Sequence, residues 1–500
     1  MKMTNDRAAF YGILGETIDI YQAEHAVVAA YHELGGRATV PGRKYRIVVG
    51  HDQSPASDMM EAAVCAALCA AGADVVTLGA VPSGAVSYLT AKADALMGVM
   101  ITGNTFDTEV SGLKFYHSNG RPVLGEQLQS ILASIDSHAA LSSKQSGRIV
   151  KADGSLLQKY RANLLEASNY TMFETLKVAV DCTQSASAVF VRDLFEQLGA
   201  EVSVFAPDPD EERQPLPAYA NPAALIDYVK DTKSDIGFAF SASGENCLVA
   251  DAEGKLYDTE KLAAIFGFVY GTFASSGAEA QTVMVSDSCH IALAPYIQSV
   301  GAQCRVVTGD YSYLAEEFLN YGAASSANDG VMMAADRDAG LVFPRRSYVP
   351  DGLMTAVMLL TCMNRMGMSM AELSVGVPRL IRNTSSVNIP SGAVLPLLHS
   401  TDLNEEIHVL RSYLSGDGRV SIYRADSGRG RVEIIVEGIK PQQVAKVAEM
   451  AERLVRKNLR EKDGVPIREQ EPYRKNEDKP ADYEDAVQNY VDGAKERKSV

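Results

Sequence analysis

Several features that define large classes of protein are missing from this chain of 500 residues. No apolar run approaches the roughly 20 residues that a bilayer-spanning helix needs. The N-terminal stretch, residues 1–12, lacks the apolar centre of a secretory signal peptide, so we expect a cytoplasmic protein without membrane contact. Positive charge is also in deficit, since 47 Lys and Arg against 63 Asp and Glu give a net charge of −16. Nucleic acid is not an expected partner, because its phosphate backbone would be repelled.

Cysteine is scarce and shows no pattern. The seven cysteines lie scattered through apolar segments, and none forms a C-x-x-C pair. Cys65 and Cys69 are four residues apart in an alanine-rich stretch, which is the spacing of one helix face. We therefore predict buried free thiols rather than a metal or redox centre.

The sequence does contain a repeated β-α-β pattern. Short apolar runs, typical of buried parallel strands, occur at 45–50, 74–78 and 97–101 and alternate with helical stretches. The same order recurs at 176–205 and at 282–307. We therefore predict an α/β protein with three similar mixed or parallel α/β domains in series.

A smaller α+β domain is predicted to follow these three, since a chain of this length is expected to form about three or four domains. A charged segment that is poor in apolar residues comes last and is predicted to be mostly disordered. The predicted boundaries are 1–150, 151–253, 254–370 and 371–460 for the four domains, and 461–500 for the tail.

The first candidate site lies in the polar loop that follows the strand at 97–101. Residues 102–107 read T-G-N-T-F-D, and residues 111–114 read S-G-L-K. This arrangement resembles the phosphohexomutases, the family that includes phosphoglucomutase, phosphomannomutase and phosphoglucosamine mutase. Their loop reads T-A-S-H-N-P, then N-G-x-K, and its serine carries the phosphoryl group. The resemblance places Asn104 at the serine position, where an amide cannot act as the alcohol does, and matches Lys114 to the family's lysine.

A second loop, at 241–246, follows an apolar strand of the second domain. The family has D-G-D-A-D-R there, three aspartates that hold a divalent cation, whereas this chain reads S-A-S-G-E-N. Ser241, Ser243 and Glu245 thus occupy the positions of the metal loop with a single carboxylate. Because Mg²⁺ prefers anionic oxygen ligands, we predict no bound metal and no cofactor.

A third loop aligns with the family's G-E-x-S-G-H, whose glutamate, serine and histidine bind the sugar hydroxyls. This chain reads A-D-R-D-A-G at 335–340. Asp336 and Asp338 are candidates for accepting hydrogen bonds from a sugar. The alternative is a solvated Asp-Arg-Asp turn without a role in binding.

The smaller C-terminal domain carries a candidate anion site. Where the family has R-P-S-G-T-E-P, a loop that holds the substrate phosphate, this chain reads R-A-D-S-G-R-G-R at 424–431. Arginine side chains and a glycine-rich backbone both suit phosphate. The alternative is an ordinary solvated basic hairpin tip. The predicted phosphate-binding residues are Arg424, Ser427, Gly428, Arg429 and Arg431.

The departures from the family's motifs lead to a first hypothesis, a non-catalytic phosphohexomutase homologue that binds a hexose phosphate or regulates a partner. Phosphoryl transfer depends on positioning and charge neutralisation, and the charged groups are the ones replaced. The alternative is an active phosphosugar mutase with relocated groups: Thr105 as nucleophile, Lys114 neutralising phosphate, and Glu245 holding Mg²⁺ weakly.

A third hypothesis is a structural role through the tail at 461–500. A short amphipathic helix at 481–495 would contact a protein partner or the body of the protein. The resemblance also implies a homodimer.

Overall fold

The computed structural model describes residues 2–3, 8–36, 44–104, 107–135, 146–205, 217–275, 281–309, 311–324, 330–389, 393–414, 418–424 and 431–463. Within these ranges the chain forms four β-sheets with associated helices, which is the predicted α/β class. It divides into two compact units, Met1–Ser288 with Ile297–Val375, and Cys289–Tyr296 with Gly376–Val500. The four-domain boundaries stay a prediction. No helix in the described ranges is both long and apolar enough to cross a bilayer.

The first sheet of the larger unit has seven strands. They are β1 (Lys2–Met3), β2 (Phe10–Ile13), β3 (Arg46–His51), β4 (Asp74–Ala80), β5 (Met97–Asn104), β6 (Asp107–His117) and β7 (Ile149–Lys151), in the order β1-β2-β6-β5-β3-β4-β7. The four strands from β5 to β7 in that order are parallel. Ile47, Val48 and Val49 of β3 are fully buried, as expected for a strand covered on both faces. The associated helices are α1 (Ile20–Tyr31), α2 (Ser57–Ala70), α3 (Ser83–Lys92) and α4 (Gly125–Ser134).

Strand β5 is longer than the sequence predicts. The apolar run ends at Ile101, but the strand continues to Asn104 because β6 pairs with it in the antiparallel direction. Gly103 lies opposite Ser111, and Asn104 lies opposite Asp107. Asn104, at the family's serine position, therefore ends a strand rather than lying inside a loop.

The second and third sheets of the larger unit have five and four strands. The second contains β8 (Lys177–Asp181), β9 (Glu201–Phe205), β10 (Ile236–Phe240), β11 (Cys247–Asp251) and β12 (Leu256–Tyr257), in the order β12-β11-β10-β8-β9. The third contains β13 (Thr282–Ser286), β14 (Gln303–Val307), β15 (Val331–Asp336) and β16 (Gly340–Val342), in the order β14-β13-β15-β16. The helices in this part of the chain are α5 (Gly154–Ala167), α6 (Ala188–Gln197), α7 (Pro222–Thr232), α8 (Thr259–Ser275), α9 (Leu293–Ser299), α10 (Tyr311–Ala324), α11 (Gly352–Met366) and α12 (Met370–Leu373).

Each of these three sheets contains the same hairpin. A strand with a parallel neighbour turns back into an antiparallel partner: β5 into β6, β10 into β11, and β15 into β16. The turns of the second and third hairpins span 241–246 and 337–339, and they lie in two of the loops selected from the sequence. Strand β5 ends at Asn104, within the first of the selected loops.

Helix α11 is buried, as its almost wholly apolar sequence predicts. Asp351 caps its N-terminus by accepting a hydrogen bond from the Met354 amide at 3.0 Å. Gly367 ends the helix in the left-handed conformation, with a φ of 63° that most other residues adopt only with strain.

The smaller unit is built on a three-stranded antiparallel sheet. Its strands are β17 (Ile381–Asn388), β18 (Arg419–Arg424) and β19 (Arg431–Gly438), in the order β17-β19-β18, and its helices are α13 (Val394–Leu398), α14 (Thr401–Arg411) and α15 (Pro441–Asp463). Strand β17 is largely polar, and it is defined by pairing with β19 along the whole strand. Helix α15 extends to Asp463, so the first residues of the predicted disordered tail are helical.

A buried ion cluster stabilises the smaller unit. The Glu437 side chain on β19 is fully buried. It accepts hydrogen bonds from Arg382 on β17 at 2.8 Å and from the Ile291 amide at 3.2 Å, and an Arg419 nitrogen on β18 lies 2.8 Å away. One carboxylate therefore joins all three strands to the 289–296 segment.

Replacing Glu437 with alanine should destabilise the protein by about 3–5 kcal/mol, the usual cost of removing one partner from a buried ion cluster. The shift of the urea unfolding midpoint measures the loss. Glu405→Ala, an exposed glutamate on α14 of the same unit, is the matched control. Equal midpoints for the two variants would show that the cluster contributes little.

Candidate functional site

The loop that leaves β3 is organised by Asp52, whose side chain is fully buried. One carboxylate oxygen accepts from the Ser54 amide at 2.9 Å and the Ser57 hydroxyl at 2.8 Å. The other accepts from the Thr102 hydroxyl at 2.9 Å and the Gly103 amide at 2.7 Å. Asp52 therefore fixes the end of β5, next to the position where the family carries its phosphoserine.

Lys114 lies on β6, with its side chain on the face away from the first sheet's main core. Leu113 and Phe115 point into that core and are buried. Since successive side chains of a strand alternate between faces, Lys114 and Tyr116 share the opposite face. The sequence analysis gave a role to Lys114 alone. Strand β6 also places the buried phenol of Tyr116 on the same face as Lys114.

The 241–246 loop, between β10 and β11, is tightly fixed. Its turn uses Gly244 at a φ of 69°, which favours glycine. The Ser241 hydroxyl accepts a hydrogen bond from the Asn246 amide at 3.0 Å, so the turn is closed internally. The backbone carbonyls of residues 241–244 all accept hydrogen bonds, from Ser185 Oγ and from the amides of Gly244, Ala186, Ser83 and Gly352.

The structure brings two of the predicted site residues together. Lys114 Nζ lies 2.6 Å from both carboxylate oxygens of Glu245. The Glu245 residue is 9% exposed, so the ion pair is mostly withdrawn from water. The pair joins the first hairpin to the second, across 131 residues of sequence. Asn246 extends the connection to the third hairpin, because its side-chain nitrogen lies 3.3 Å from the Asp338 carbonyl oxygen.

Further titratable groups lie close to this ion pair. Burial raises the pKa of the Asp351 carboxyl to about 6, hydrogen bonds from Met354 and Tyr160 oppose the rise, and the Glu245 charge adds to it. Burial also raises the pKa of the Tyr116 phenol, and the Glu245 charge adds to this effect as well. Lys114 is therefore the cation of a site in which the other groups are acidic or neutral.

The two aspartates of the third hairpin have different environments. Asp336 is buried, and its oxygens accept hydrogen bonds from the Ala339 amide at 2.9 Å and the Ser288 hydroxyl at 3.0 Å. Burial raises the pKa of Asp336, and the Asp338 charge adds to the rise. The Asp338 side chain is 69% exposed and pairs with Arg337 at 2.6 Å. Asp338 is thus the more accessible of the two predicted sugar-binding residues.

Other predicted site residues lie partly or wholly outside the described residues. The side chains of Asn104 and Arg424 are not among those described, although both residues end strands. Arg431 is half-buried on β19. The phosphate-binding assignments stay predictions. Thr105, Ser427, Gly428, Arg429 and the tail at 464–500 lie outside the described residues.

Two histidines, His51 and His290, are both buried. His290 Nδ1 accepts from the Ala292 amide at 3.1 Å, which is a capping role. His51 Nδ1 donates to the Asp52 carbonyl at 2.6 Å, and its Nε2 lies 3.7 Å from Asp58. His51 thus holds the same loop as Asp52 from the backbone side.

Among the described residues, no group of three or more His, Cys, Asp or Glu side chains has the arrangement of a metal site. The larger unit instead brings together one half-buried lysine, one paired glutamate and two hairpins joined by hydrogen bonds. Such an arrangement can bind and orient an anionic ligand beside the Lys114 ammonium.

Comparison with known sequences identifies relatives along most of the chain. Residues 11–141 match the family model of phosphoglucomutase/phosphomannomutase, alpha/beta/alpha domain I. A phosphoglucosamine mutase of Clostridium botulinum is 26% identical over 83% of this chain and 91% of its own length. A phosphoglucosamine mutase of Ruminiclostridium cellulolyticum is also 26% identical, over 83% of this chain and 90% of its own.

Solved structures share the fold. A phosphoglucomutase/phosphomannomutase family protein from Burkholderia thailandensis matches with a TM-score of 0.70 at 20% identity, covering 91% of this chain and 98% of its own. The N-acetylphosphoglucosamine mutase of Aspergillus fumigatus, solved in complex with GlcNAc-6P and magnesium, matches with a TM-score of 0.52 at 13% identity. The match covers 88% of this chain and 99% of that one. At these identities the likeness establishes the fold, and it confirms the predicted multi-domain α/β class.

Replacing Asp52 with asparagine should destabilise the first hairpin, because an amide nitrogen would face the Thr102 hydroxyl or the Gly103 amide. Each buried donor without an acceptor costs about 1–3 kcal/mol. Urea unfolding measures the loss, and hydrogen exchange at the Gly103 amide should accelerate. Asp58→Asn, whose side chain is 95% exposed, is the control. Identical unfolding midpoints and exchange rates in the two variants would contradict the role of Asp52.

Asp351→Asn should change the pH dependence of stability. The folded pKa is raised from 3.8 to about 6, so the carboxyl's stabilising contribution is complete below about pH 4 and is lost as pH rises through 6. Asparagine can still cap α11 and does not titrate. Relative to the wild type, the variant should therefore gain about 3 kcal/mol between pH 4 and pH 7.5, at roughly 1.4 kcal/mol for each pKa unit.

Urea unfolding across this pH range measures the trend. Asp153→Asn is the control, since Asp153 also caps a helix but is exposed, and the hydroxyl of Ser155 lowers its pKa. The stability of Asp153→Asn relative to the wild type should change with pH in the opposite direction. A stability difference for Asp351→Asn that does not change with pH would contradict the raised pKa.

Proposed function

The chain belongs to the α-D-phosphohexomutase superfamily, and on that premise we propose that it is an active phosphosugar mutase. Such an enzyme is an intramolecular phosphotransferase that moves a phosphoryl group between two positions of a hexose. The proposal is carried by the Lys114–Glu245 pair, which holds a cation at the junction of two loops that match the family's catalytic loops in position.

The hypothesis of a non-catalytic homologue is wrong. Relatives that match over 83% of the chain are named phosphoglucosamine mutases, and no observation points to a loss of activity. The hypothesis rested on the charged groups that the altered motifs lack. Positioning contributes much of the catalysis of phosphoryl transfer, and the hairpins remain rigidly positioned here by Asp52 and by the bonded 241–246 loop.

In this proposal, four of the predicted site residues have a defined role. Lys114 neutralises charge on the transferring phosphoryl group, because a preorganised cation stabilises charge that develops in the transition state. Glu245 orients the Lys114 ammonium, and Asp338 accepts hydrogen bonds from the sugar hydroxyls. Arg431 belongs to the predicted phosphate-binding loop of the smaller unit.

The carrier of the phosphoryl group is assigned to Thr105, the alcohol one residue beyond the family's serine position. Its oxygen forms a bond to phosphorus, the bond from phosphorus to the sugar oxygen breaks, and the hydroxyl proton passes to that departing oxygen. A second hydroxyl lies at the end of β5. The Ser54 Oγ is near enough to Gly103 that a Cβ there would collide with it.

The proposed substrate is a hexose phosphate, and the names of the curated relatives make glucosamine phosphate the first candidate. The Aspergillus structure with GlcNAc-6P supports the same class of ligand. A cytoplasmic location and a homodimer are also proposed, from the sequence and from the family resemblance.

Purified protein should interconvert glucosamine 1-phosphate and glucosamine 6-phosphate in a coupled assay, in the presence of a catalytic amount of the bisphosphate. Lys114→Met should lower kcat/KM by about 100- to 1000-fold, the effect of removing one group that stabilises a transition-state charge. Lys159→Met, an exposed lysine on α5, should leave it unchanged. Absence of turnover with glucosamine, glucose and mannose phosphates would contradict the proposed function.

Incubation with glucose 1,6-bisphosphate should add one phosphoryl group to the protein, detected by intact-mass spectrometry. Thr105→Ala should abolish the adduct and Ser54→Ala should retain it. The reverse pattern would move the carrier to Ser54. A wild-type protein without an adduct would contradict a phosphoenzyme step.

A further inference from the structure

An active mutase of this superfamily would be expected to use Mg²⁺, and the donor atoms of the 241–246 loop do not suit that ion. Mg²⁺ requires a near-octahedral set of oxygens at about 2.0–2.1 Å. In this loop the only carboxylate is Glu245, and both of its oxygens lie 2.6 Å from Lys114 Nζ. A cation could bind Glu245 only by displacing the ammonium.

Several neutral oxygens of the loop already accept hydrogen bonds. The Ser241 hydroxyl accepts the Asn246 amide, and the carbonyls of residues 241–244 accept hydrogen bonds from other segments. Rotating these carbonyls toward an ion would break bonds to α3 and α11, whose first residues supply the Ser83 and Gly352 amides. Rearranging this scaffold would add to the cost of assembling a metal site.

We infer that the Lys114 ammonium takes the place of the divalent cation, so that the site holds its own positive charge and binds no metal at Glu245. The catalytic role that this inference gives to Lys114 rests on the proposed function. A lysine is a compact point charge with three donors. Strand β6 supplies it in the folded protein, so its presence does not depend on the concentration of a free ion.

The inference differs from a simpler explanation, in which the loop binds metal weakly only because it has few ligands. If Lys114 excludes the cation, its removal should create a metal site, because the Glu245 carboxylate is then unpaired and anionic. If the loop simply lacks ligands, the removal of Lys114 should change nothing. The two cases differ in a binding measurement that requires no catalysis.

Titration with Mn²⁺, followed by the loss of the free-ion EPR signal, tests this directly. Wild-type protein should show no stoichiometric site. Lys114→Met should bind Mn²⁺ about tenfold or more tightly than the wild type, since a like charge at the ligand has been removed. The double variant Lys114→Met/Glu245→Gln should return to wild-type behaviour, and Lys159→Met should match the wild type throughout.

A stoichiometric Mn²⁺ site in the wild type that Glu245→Gln abolishes would overturn the inference. So would equal affinities in the wild type and in folded Lys114→Met. Circular dichroism checks that the variants fold. If Lys114→Met does not fold, Lys114→Gln, which also removes the charge, takes its place in the same comparison with the wild type.

Turnover gives an independent second readout. Wild-type mutase rates in EDTA and in magnesium chloride should agree within about twofold, and a rate that EDTA abolishes and Mg²⁺ restores would overturn the inference. Absence of turnover in both conditions would contradict the proposed function instead, and the Mn²⁺ titration would still decide whether Lys114 excludes the metal.

Discussion

The larger unit depends on one mostly buried ion pair. Removing Lys114 would leave the Glu245 carboxylate without a partner beside Asp351, whose own pKa is already raised, and an unpaired buried charge is strongly destabilising. The pair also joins two hairpins whose sheets are far apart in sequence. This contact therefore adds to the backbone hydrogen bonds that position the second loop, and it sets the charge that a ligand meets.

The fold was readable from the sequence wherever the signal was local. The buried parallel strands are continuous apolar runs, and the observed β3 lies one residue later along the chain than the predicted run at 45–50. Predictions were wrong where pairing with a distant strand extends a polar segment. The end of β5 is defined by β6, and the polar start of β17 is defined by β19, so neither appears in the apolar pattern.

The candidate site was only partly readable. Lys114 and Glu245 were each selected from motif positions, but nothing in the sequence indicates that residues 131 apart form a pair. Asp52 was missed, although a carboxylate directly after a buried strand and before a helix is a recognisable signal for a loop organiser. The function was misjudged because the prediction relied on the charged groups that the motifs lack, whereas most of the hydrogen bonds that position the 241–246 loop involve backbone atoms that a motif does not reveal.

The tip of the second hairpin has an unusual place in the architecture. Hairpin tips of most proteins are exposed, and they are where extra residues and proteolytic cuts are best tolerated. Residues 241–245 are buried, and their carbonyls bond to segments that begin two helices. An added residue here would shift the starts of α3 and α11 together, so evolution can exchange side chains at this tip far more readily than it can change its length.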